Sequence, residues 1–217
     1  QMINDMQKKI LVKAIEIGVE SGEDALEILK SYPNLSIAEK QEIGKEVGIE
    51  YSPTLAEALT EKIAELSSAC NKAIEDGVTI QIDGVDEHFS YGIASGDQSN
   101  IDSLFLMAKT SGLSQPYHCS GGGSCKLYTP EQMSAIYVAE KMNTTAQTTY
   151  FNQLKEMIAD TYKSENDVDV VLGVTWGTPL SGKYLDNYNL IMAQSNLIVK
   201  AVTKNESKDA ENTEVTA

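Results

Sequence analysis

The sequence contains no arginine: its 17 basic residues are all lysine, and 32 acidic residues bring the formal net charge to −15. Bidentate recognition of phosphate or guanine depends on the planar guanidinium group, and an acidic surface repels nucleic acids and anionic lipids. The absence of arginine also excludes an arginine finger or an arginine clamp on an anionic substrate. We therefore predict no nucleic-acid partner.

Long apolar runs are also absent. No uninterrupted stretch approaches the roughly 18–20 residues that span a bilayer, and the first residues lack the basic and then apolar segments of a secretory signal peptide. We therefore expect no membrane insertion. The pattern predicts a protein that is made in the cytoplasm and stays soluble, unless it leaves the cell as part of a larger assembly.

Cysteine is scarce, with only Cys70, Cys119 and Cys125 in 217 residues. An odd and sparse set is not a disulfide framework. Cys119 and Cys125 flank the glycine-rich segment 120–124, and neither has the CxxC partner that most zinc sites need. Two free thiols on a hairpin are the preferred interpretation, while a disulfide formed in an oxidising exterior and a metal site stay open as alternatives. We predict no metal ion and no cofactor.

Histidine is scarcer still, and this limits catalysis. A Ser–His or Cys–His pair would have to use His88 or His118, and no GxSxG elbow is present. A hydrolase built on His118 and Cys125 facing each other across a hairpin remains an alternative. We predict that the chain is not an enzyme and has no catalytic residues.

The first third of the chain, residues 1–76, is predicted to be helical. Pro33 ends a short second helix, and Ser36 with Glu39 forms a capping box that opens a third. The first helix is expected to bury one apolar face, whose residues recur at steps of three and four. These residues are Ile3, Met6, Ile10, Ala14 and Ile17.

A longer helix is expected after Pro53, with apolar residues spaced by four, three, four and three positions. These residues are Leu59, Ile63, Leu66, Cys70 and Ala73. The spacing is that of a coiled-coil seam over about two heptads. Packing within its own domain is the preferred interpretation, and self-association is the alternative. Leu59, Ile63 and Leu66 are therefore candidate interface residues.

After Gly77 the pattern changes to the alternation of β-strands. Residues 78–82 and 88–91 predict a hairpin around the turn Asp83-Gly84, and a helix is expected to begin at Asp97. A second hairpin is expected over residues 117–128. A long helix follows from Thr129 towards Tyr162, with a break allowed at residues 143–145. Residues 168–176 predict a strand and residues 182–202 a last helix.

These elements predict an α+β protein that is mainly α. The expected organisation is a helical attachment region at residues 1–76, a small α+β domain at residues 77–203 and an acidic flexible tail at residues 204–217. Tyr184, Tyr188, Ile191 and Ile198 share one face of the last helix, and the two tyrosines are expected to cover Trp176. Core packing of Trp176, Tyr184 and Tyr188 is the preferred interpretation, and an interface patch is the alternative.

Four short runs in the second half of the chain carry a resemblance. They are residues 96–101 (GDQSNI), 127–129 (LYT), 149–154 (TYFNQL) and 174–177 (VTWG). Over about residues 78–195 the chain resembles a poorly characterised domain of phage and prophage tail, baseplate and tail-fibre-associated proteins. The resemblance implies a structural virion component with no assigned chemistry.

The sequence therefore predicts a structural subunit of a phage tail or baseplate, assembled in the host cytoplasm and found in the virion. It is expected to act through contacts with other tail subunits, as a homo-oligomer or hetero-oligomer, and to help attach fibres or receptor-binding proteins. The alternative is a module that binds a host surface or glycan through exposed tyrosines such as Tyr117 and Tyr128 on the second hairpin.

Overall fold

Helices dominate the computed structural model of the chain, which describes residues 3–120 and 123–213, with side chains to residue 201. The described residues form eight α-helices and two antiparallel sheets of two strands each. About 65% of the chain is helical. The predicted class, α+β and mainly α, is confirmed.

The chain divides into two compact units. The helical unit takes in the described residues of 1–65 and 158–175, and the mixed unit takes in those of 66–157 and 176–217. Residues 158–175, which the sequence assigned to the α+β domain, thus group with the first helices. The predicted domain boundaries stay a prediction.

Short α-helices, most of them begun by side-chain caps, make up the helical unit. They are α1 (Asp5–Glu20), α2 (Ala25–Lys30), α3 (Ile37–Glu46), the first part of α4 (Leu55–Glu75) and α7 (Val168–Leu172). The Asn4 side chain and Gln7 form a capping box on α1, and Ser36 with Glu39 forms the predicted box on α3. The Glu165 carboxylate accepts the Leu55 N–H at 2.8 Å, so a side chain from a distant part of the sequence caps α4.

The apolar face predicted for α1 is wrong. Met6 is 73% exposed, and Ile10 and Ile17 are also exposed, whereas Ile15 is completely buried. The core of this unit consists of the buried residues Ile15, Leu29, Ile43 and Tyr51. α1 has apolar residues on two faces, and its contacts with α2 and α3 select the face around Ile15.

The strand predicted over residues 168–176 is also wrong. Ser164 and Asp167 form a capping box on a short 3-10 turn (Glu165–Asp167), and α7 follows directly. The box fixes helical backbone just before the valine-rich run, and burial of Val168 and Val171 at a spacing of three holds that run in α7.

Two hairpins form the sheets of the mixed unit. β1 (Val78–Ile82) pairs with β2 (Val85–Phe89), and the turn between them has positive φ at both Asp83 (52°) and Gly84 (82°), as a two-residue type I′ turn requires. β3 (Gln115–Tyr117) pairs with β4 (Lys126–Tyr128). Both predicted hairpins form, with shifted strands: β2 begins three residues before the predicted 88–91, and β3 begins at Gln115, two residues before the predicted start of the second hairpin.

Three further helices build the mixed unit. They are α5 (Asp97–Ser111), α6 (Pro130–Thr161, of which residues to 157 belong here) and α8 (Gly182–Thr213). α6 has no break at residues 143–145. The Thr144 and Thr145 hydroxyls donate to carbonyls four residues back, each at 2.9 Å, so both hydroxyl groups find partners within the helix. α8 continues past residue 202, so residues 204–213 of the predicted tail are helical, and residues 214–217 lie outside the described residues.

The core of the mixed unit joins both hairpins to α5 and α6. Its buried residues are Ile82, Phe89, Tyr91, Ile101, Ala108, Tyr117, Tyr128, Met133 and Ile136. Phe89 stacks on Tyr117 at a ring distance of 6.4 Å and meets the edge of Tyr128 at 5.8 Å. The aromatic residues of the two hairpins therefore serve as core.

Candidate functional site

The histidines and cysteines do not assemble into a reactive group. Cys119 is half-buried and Cys125 is exposed, and both are free thiols. His118 stacks on Tyr117 at 5.3 Å, while His88 lies 3.1 Å from the Thr79 hydroxyl on the neighbouring strand. Among the residues that the structure describes, no three His, Cys, Asp or Glu side chains are placed to hold a metal ion.

Instead, the polar chemistry of the chain concentrates in three clusters of lysine, tyrosine and carboxylate. The first lies in the helical unit. The Tyr51 hydroxyl donates to Glu57 Oε1 at 2.5 Å, and the buried Lys40 ammonium donates to the same oxygen at 2.8 Å. Burial alone would raise the pKa of Glu57, but hydrogen bonds from Lys40, the Thr54 N–H and Tyr51 outweigh it and lower the pKa to about 2.

The second cluster joins β2's end, α5 and α6 in the mixed unit. The Tyr91 hydroxyl donates to Asp102 Oδ1 at 2.8 Å, and Lys141 donates to Asp102 Oδ2 at 2.9 Å and to the Tyr91 hydroxyl. Burial raises the pKa of Tyr91 to about 12, although Lys141 opposes this rise.

The third cluster ties β2 to β4. The Tyr128 hydroxyl donates to Glu87 Oε2 at 2.5 Å, and Lys126 donates to Glu87 Oε1. Burial and the adjacent Glu87 raise the pKa of Tyr128.

A tyrosine that serves as a general base needs a lowered pKa. In these clusters the pKa values of Tyr51, Tyr91 and Tyr128 are raised, so the tyrosines act as hydrogen-bond donors that connect separate elements.

Glu57→Gln is expected to lower the free energy of unfolding by about 2 kcal/mol at pH 7, because it removes the charge partner of the buried Lys40. The lowered pKa gives the sign of the pH dependence: this contribution is fully present above pH 4.5, the ordinary value, and is lost as the pH falls towards 2. Urea denaturation at pH 7 and pH 3 measures both effects. Glu16→Gln, which breaks the exposed Lys13–Glu16 pair, is the matched control and should leave the free energy of unfolding nearly unchanged. Equal costs for the two variants would contradict the prediction.

The predicted interface residues lie mostly inside the fold. Leu66 is completely buried and Tyr184 nearly so, while Leu59, Ile63 and Tyr188 are half-buried. Leu66 and Tyr184 are therefore core residues and offer no free surface.

Trp176 is half-buried, and its partner is Tyr150. Their rings meet edge to face at 4.8 Å, and the Tyr150 hydroxyl accepts the Gly177 N–H at 2.9 Å and donates to the Thr178 carbonyl at 2.8 Å. This aromatic pair therefore fixes the segment that leads into α8. Sequence reasoning expected Tyr184 and Tyr188 to cover Trp176 and did not pair Trp176 with Tyr150, because 26 residues separate the two (176 − 150 = 26).

The hairpin tyrosines proposed for glycan binding were expected to be exposed, and this expected exposure is wrong. Tyr117 and Tyr128 are both buried, and Leu127 is the residue of β4 that faces solvent. The alternation of the short strand sends Tyr128 into the core with Phe89, which leaves no aromatic platform on this hairpin.

Exposed apolar side chains occur on several elements, including Met6 and Ile10 of α1 and Leu106 of α5, and four of them lie together on α8. Leu190, Ile191, Leu197 and Ile198 are 69%, 36%, 60% and 56% exposed. Successive residues of an α-helix are rotated by about 100°, which places these four within an arc of about 120°. We call them the α8 face. Sequence reasoning identified Ile191 and Ile198 but missed Leu190 and Leu197, although their spacing of seven was a readable signal.

No helix among the described residues combines the length and the apolar character that crossing a bilayer would require. The α8 face is a stripe on one side of α8, and Leu185, Met192 and Val199 lie on the opposite side of the same helix. Apolar stripes on a helix are surfaces that pack against protein.

Comparison with known proteins places the chain in a family. Residues 57–171 match the family described as a domain of unknown function (DUF4376). The match begins in α4, includes both hairpins with α5 and α6, and ends in α7. No curated protein and no solved structure gives a significant match. Because the matched segment spans more than half of its 217 residues, the chain belongs to the DUF4376 family.

Proposed function

We propose that the chain is a structural subunit of a phage tail, a baseplate or a phage-tail-like particle, and that it acts through contacts with neighbouring subunits. The observation that carries the proposal is the α8 face. Four large aliphatic side chains in one stripe are more than a third exposed in a chain whose net charge is −15. Apolar stripes of this kind mark protein–protein contacts.

The runs that resemble the phage-tail domain support the proposal because their residues make fold contacts. Gln98 donates to the Tyr91 carbonyl at 2.9 Å, and Thr129 accepts the Gln132 N–H at 3.3 Å at the start of α6. Tyr128 and Tyr150 make the contacts described above. Such residues preserve a scaffold on which helices are presented to partners.

The proposal also accounts for the paired charges. Lys40, Lys126 and Lys141 each bind a carboxylate of the same unit. These three lysines therefore stabilise the fold of the unit to which they belong. A subunit that works by assembly needs stably folded units and an exposed apolar surface, and the chain has both.

The test is incorporation into particles. Purified particles of the phage or prophage that encodes the chain are expected to contain it in a fixed ratio to other tail proteins, measured by quantitative mass spectrometry. Leu190→Glu combined with Leu197→Glu should reduce incorporation at least about tenfold, because each change places a charge in a contact that must lose water.

The matched control is Asn189→Glu combined with Asn196→Glu, which adds the same charge on the opposite side of α8, where both residues are exposed. This variant should be incorporated normally. A chain that is abundant in lysates but absent from purified particles would overturn the proposal.

A further inference from the structure

The α8 face is longer than the four residues that define it. Ala201 continues the stripe, and Gln194 lies in its middle; both are exposed. Over the described side chains of α8 only Tyr184 is buried. The helix has 32 residues, which corresponds to about 48 Å. Most helices in proteins gain their stability by packing an apolar face, so a helix this long and this exposed needs a partner along its side.

The repeat in α8 indicates what kind of partner this is. Leu190 and Leu197 are seven residues apart, as are Ile191 and Ile198. A seven-residue apolar repeat keeps a stripe facing a second helix that winds around the first. A strand or a flat surface would not require this period.

Charge indicates that the partner can be the same protein. The chain carries a net charge of −15, so two copies repel each other over most of their surface. Residues 182–201 are different: they contain Lys183, Lys200 and Asp186, which gives 2 − 1 = +1. This part of α8 is therefore close to neutral, and two copies meet less repulsion there than over the rest of their surface.

Gln194 indicates how the two helices are aligned. Its side-chain amide is both a donor and an acceptor, so it can pair with an identical amide. A polar residue in an apolar seam fixes the register of a coiled coil. In a parallel pair without offset each Gln194 meets its own copy, whereas a parallel pair shifted by four or seven residues leaves it against Leu190, Ile198 or Ala201. The cross-linking experiment below distinguishes the parallel pair from an antiparallel pair centred on Gln194.

We infer that α8 binds α8 of a second copy of this chain as a parallel coiled coil in register, through Leu190, Ile191, Gln194, Leu197 and Ile198. This inference rests on the proposed assembly function and deepens it, because it names one partner of the α8 face. A dimer that forms in this way presents two copies of the remaining surface to the particle.

Sedimentation equilibrium of the full chain over a range of concentrations tests the inference. The wild type is expected to associate beyond its monomer mass of 23.6 kDa. Leu190→Glu with Leu197→Glu should weaken self-association at least about 100-fold, whereas Asn189→Glu with Asn196→Glu should leave it unchanged. Circular dichroism and urea denaturation establish that both variants remain folded, since all four positions are exposed.

A second measurement tests the alignment. Ile198→Cys, in a chain with Cys119→Ser and Cys125→Ser, should form an intermolecular disulfide under mild oxidation if the helices are parallel and in register. Failure to cross-link in an associated sample would overturn the parallel arrangement. A wild-type chain that stays at 23.6 kDa at its highest soluble concentration would overturn self-association altogether. If the chain is a monomer but is still incorporated into particles, self-association is wrong and the proposed function holds. The partner of the α8 face is then another protein of the particle.

Discussion

Glu140→Gln is expected to raise the free energy of unfolding by about 3 kcal/mol at pH 8 and to leave it nearly unchanged at pH 4.5. The Glu140 carboxyl group is completely buried in α6. Its Oε1 accepts the Val78 N–H at 3.2 Å, and its Oε2 has no hydrogen-bond partner among the described residues. An unpaired buried carboxylate is costly because it has lost its water.

The pKa of this group determines the size and the sign of the effect. Burial raises the pKa of Glu140 to about 7 from an ordinary value of 4.5, and the Asp97 carboxylate raises it further against the opposing Val78 N–H and Lys141. Below pH 4.5 the group is protonated in both the folded and the unfolded chain. Between pH 4.5 and 7 the folded chain keeps a proton that the unfolded chain has released, so stability falls as the pH rises. Above pH 7 the full cost of about 3 kcal/mol is present.

Glutamine has nearly the same shape and no charge, so the variant should lack this pH dependence. Urea denaturation of the full chain at pH 4.5, 6 and 8 measures the difference between variant and wild type. Glu156→Gln changes an exposed residue of the same helix. Its free energy of unfolding relative to the wild type should not change with pH. A Glu140→Gln chain that is no more stable than the wild type at pH 8 would contradict the prediction. Burial, with the Asp97 and Glu140 carboxylates, raises the pKa of Tyr117 to about 12. Glu140→Gln should therefore lower the pKa of Tyr117, which a spectroscopic titration of the tyrosine measures.

The parts of the fold that follow from nearby residues could be predicted from the sequence. The capping box of Ser36 with Glu39, the start of α6 at Thr129 and the turn at Asp83-Gly84 each depend on contacts within four residues. Such contacts depend on local sequence and hold in many tertiary environments. The helical and strand content was therefore predictable, apart from residues 168–176.

The errors occurred where a distant contact decides the structure. α1 offers one apolar stripe through Met6 and Ile10 and another through Ile15, and only the positions of α2 and α3 select between them. Tyr117 and Tyr128 are aromatic residues on short strands, and the local sequence is the same whether they are exposed or buried. Their burial depends on Phe89, which lies on the other hairpin.

The candidate site was predictable only in part for the same reason. In the cluster at Tyr91 the partners Asp102 and Lys141 lie 11 and 50 residues away in sequence. Residue spacing does not predict contacts over such distances. Glu140 did leave a signal, because it follows the buried Met133 and Ile136 at helical steps of three and four. A glutamate on the buried stripe of a helix is a candidate for a raised pKa.

Gly77→Ala is expected to destabilise the mixed unit by about 4 kcal/mol or more, because two separate costs coincide. The residue has a φ of +73°, where an alanine side chain costs about 1 kcal/mol or somewhat more. A Cβ at this position would also lie 1.8 Å from the Phe89 carbonyl oxygen and 2.8 Å from the Ser90 Cα. Both of these are backbone atoms, so no side-chain rotation relieves the overlap.

The surrounding contacts prevent the backbone from moving apart cheaply. Phe89 is a buried core residue paired with Val78, and the Tyr91 N–H donates to the Glu75 carbonyl at 3.0 Å. Separating β2 from the end of α4 would therefore break a hydrogen bond and expose the core.

Gly112→Ala separates the two costs, because Gly112 has a φ of +66° in the same unit and an added Cβ there meets nothing within 4 Å. Gly112→Ala should lower the free energy of unfolding by about 1 kcal/mol, as measured by urea denaturation. If Gly77→Ala does not fold, hydrogen exchange and circular dichroism should show loss of the mixed unit while the Gly112→Ala chain retains it. Similar stabilities for the two variants would mean that the backbone at Gly77 can move away from β2, against the close packing of β1, β2 and α4 described above.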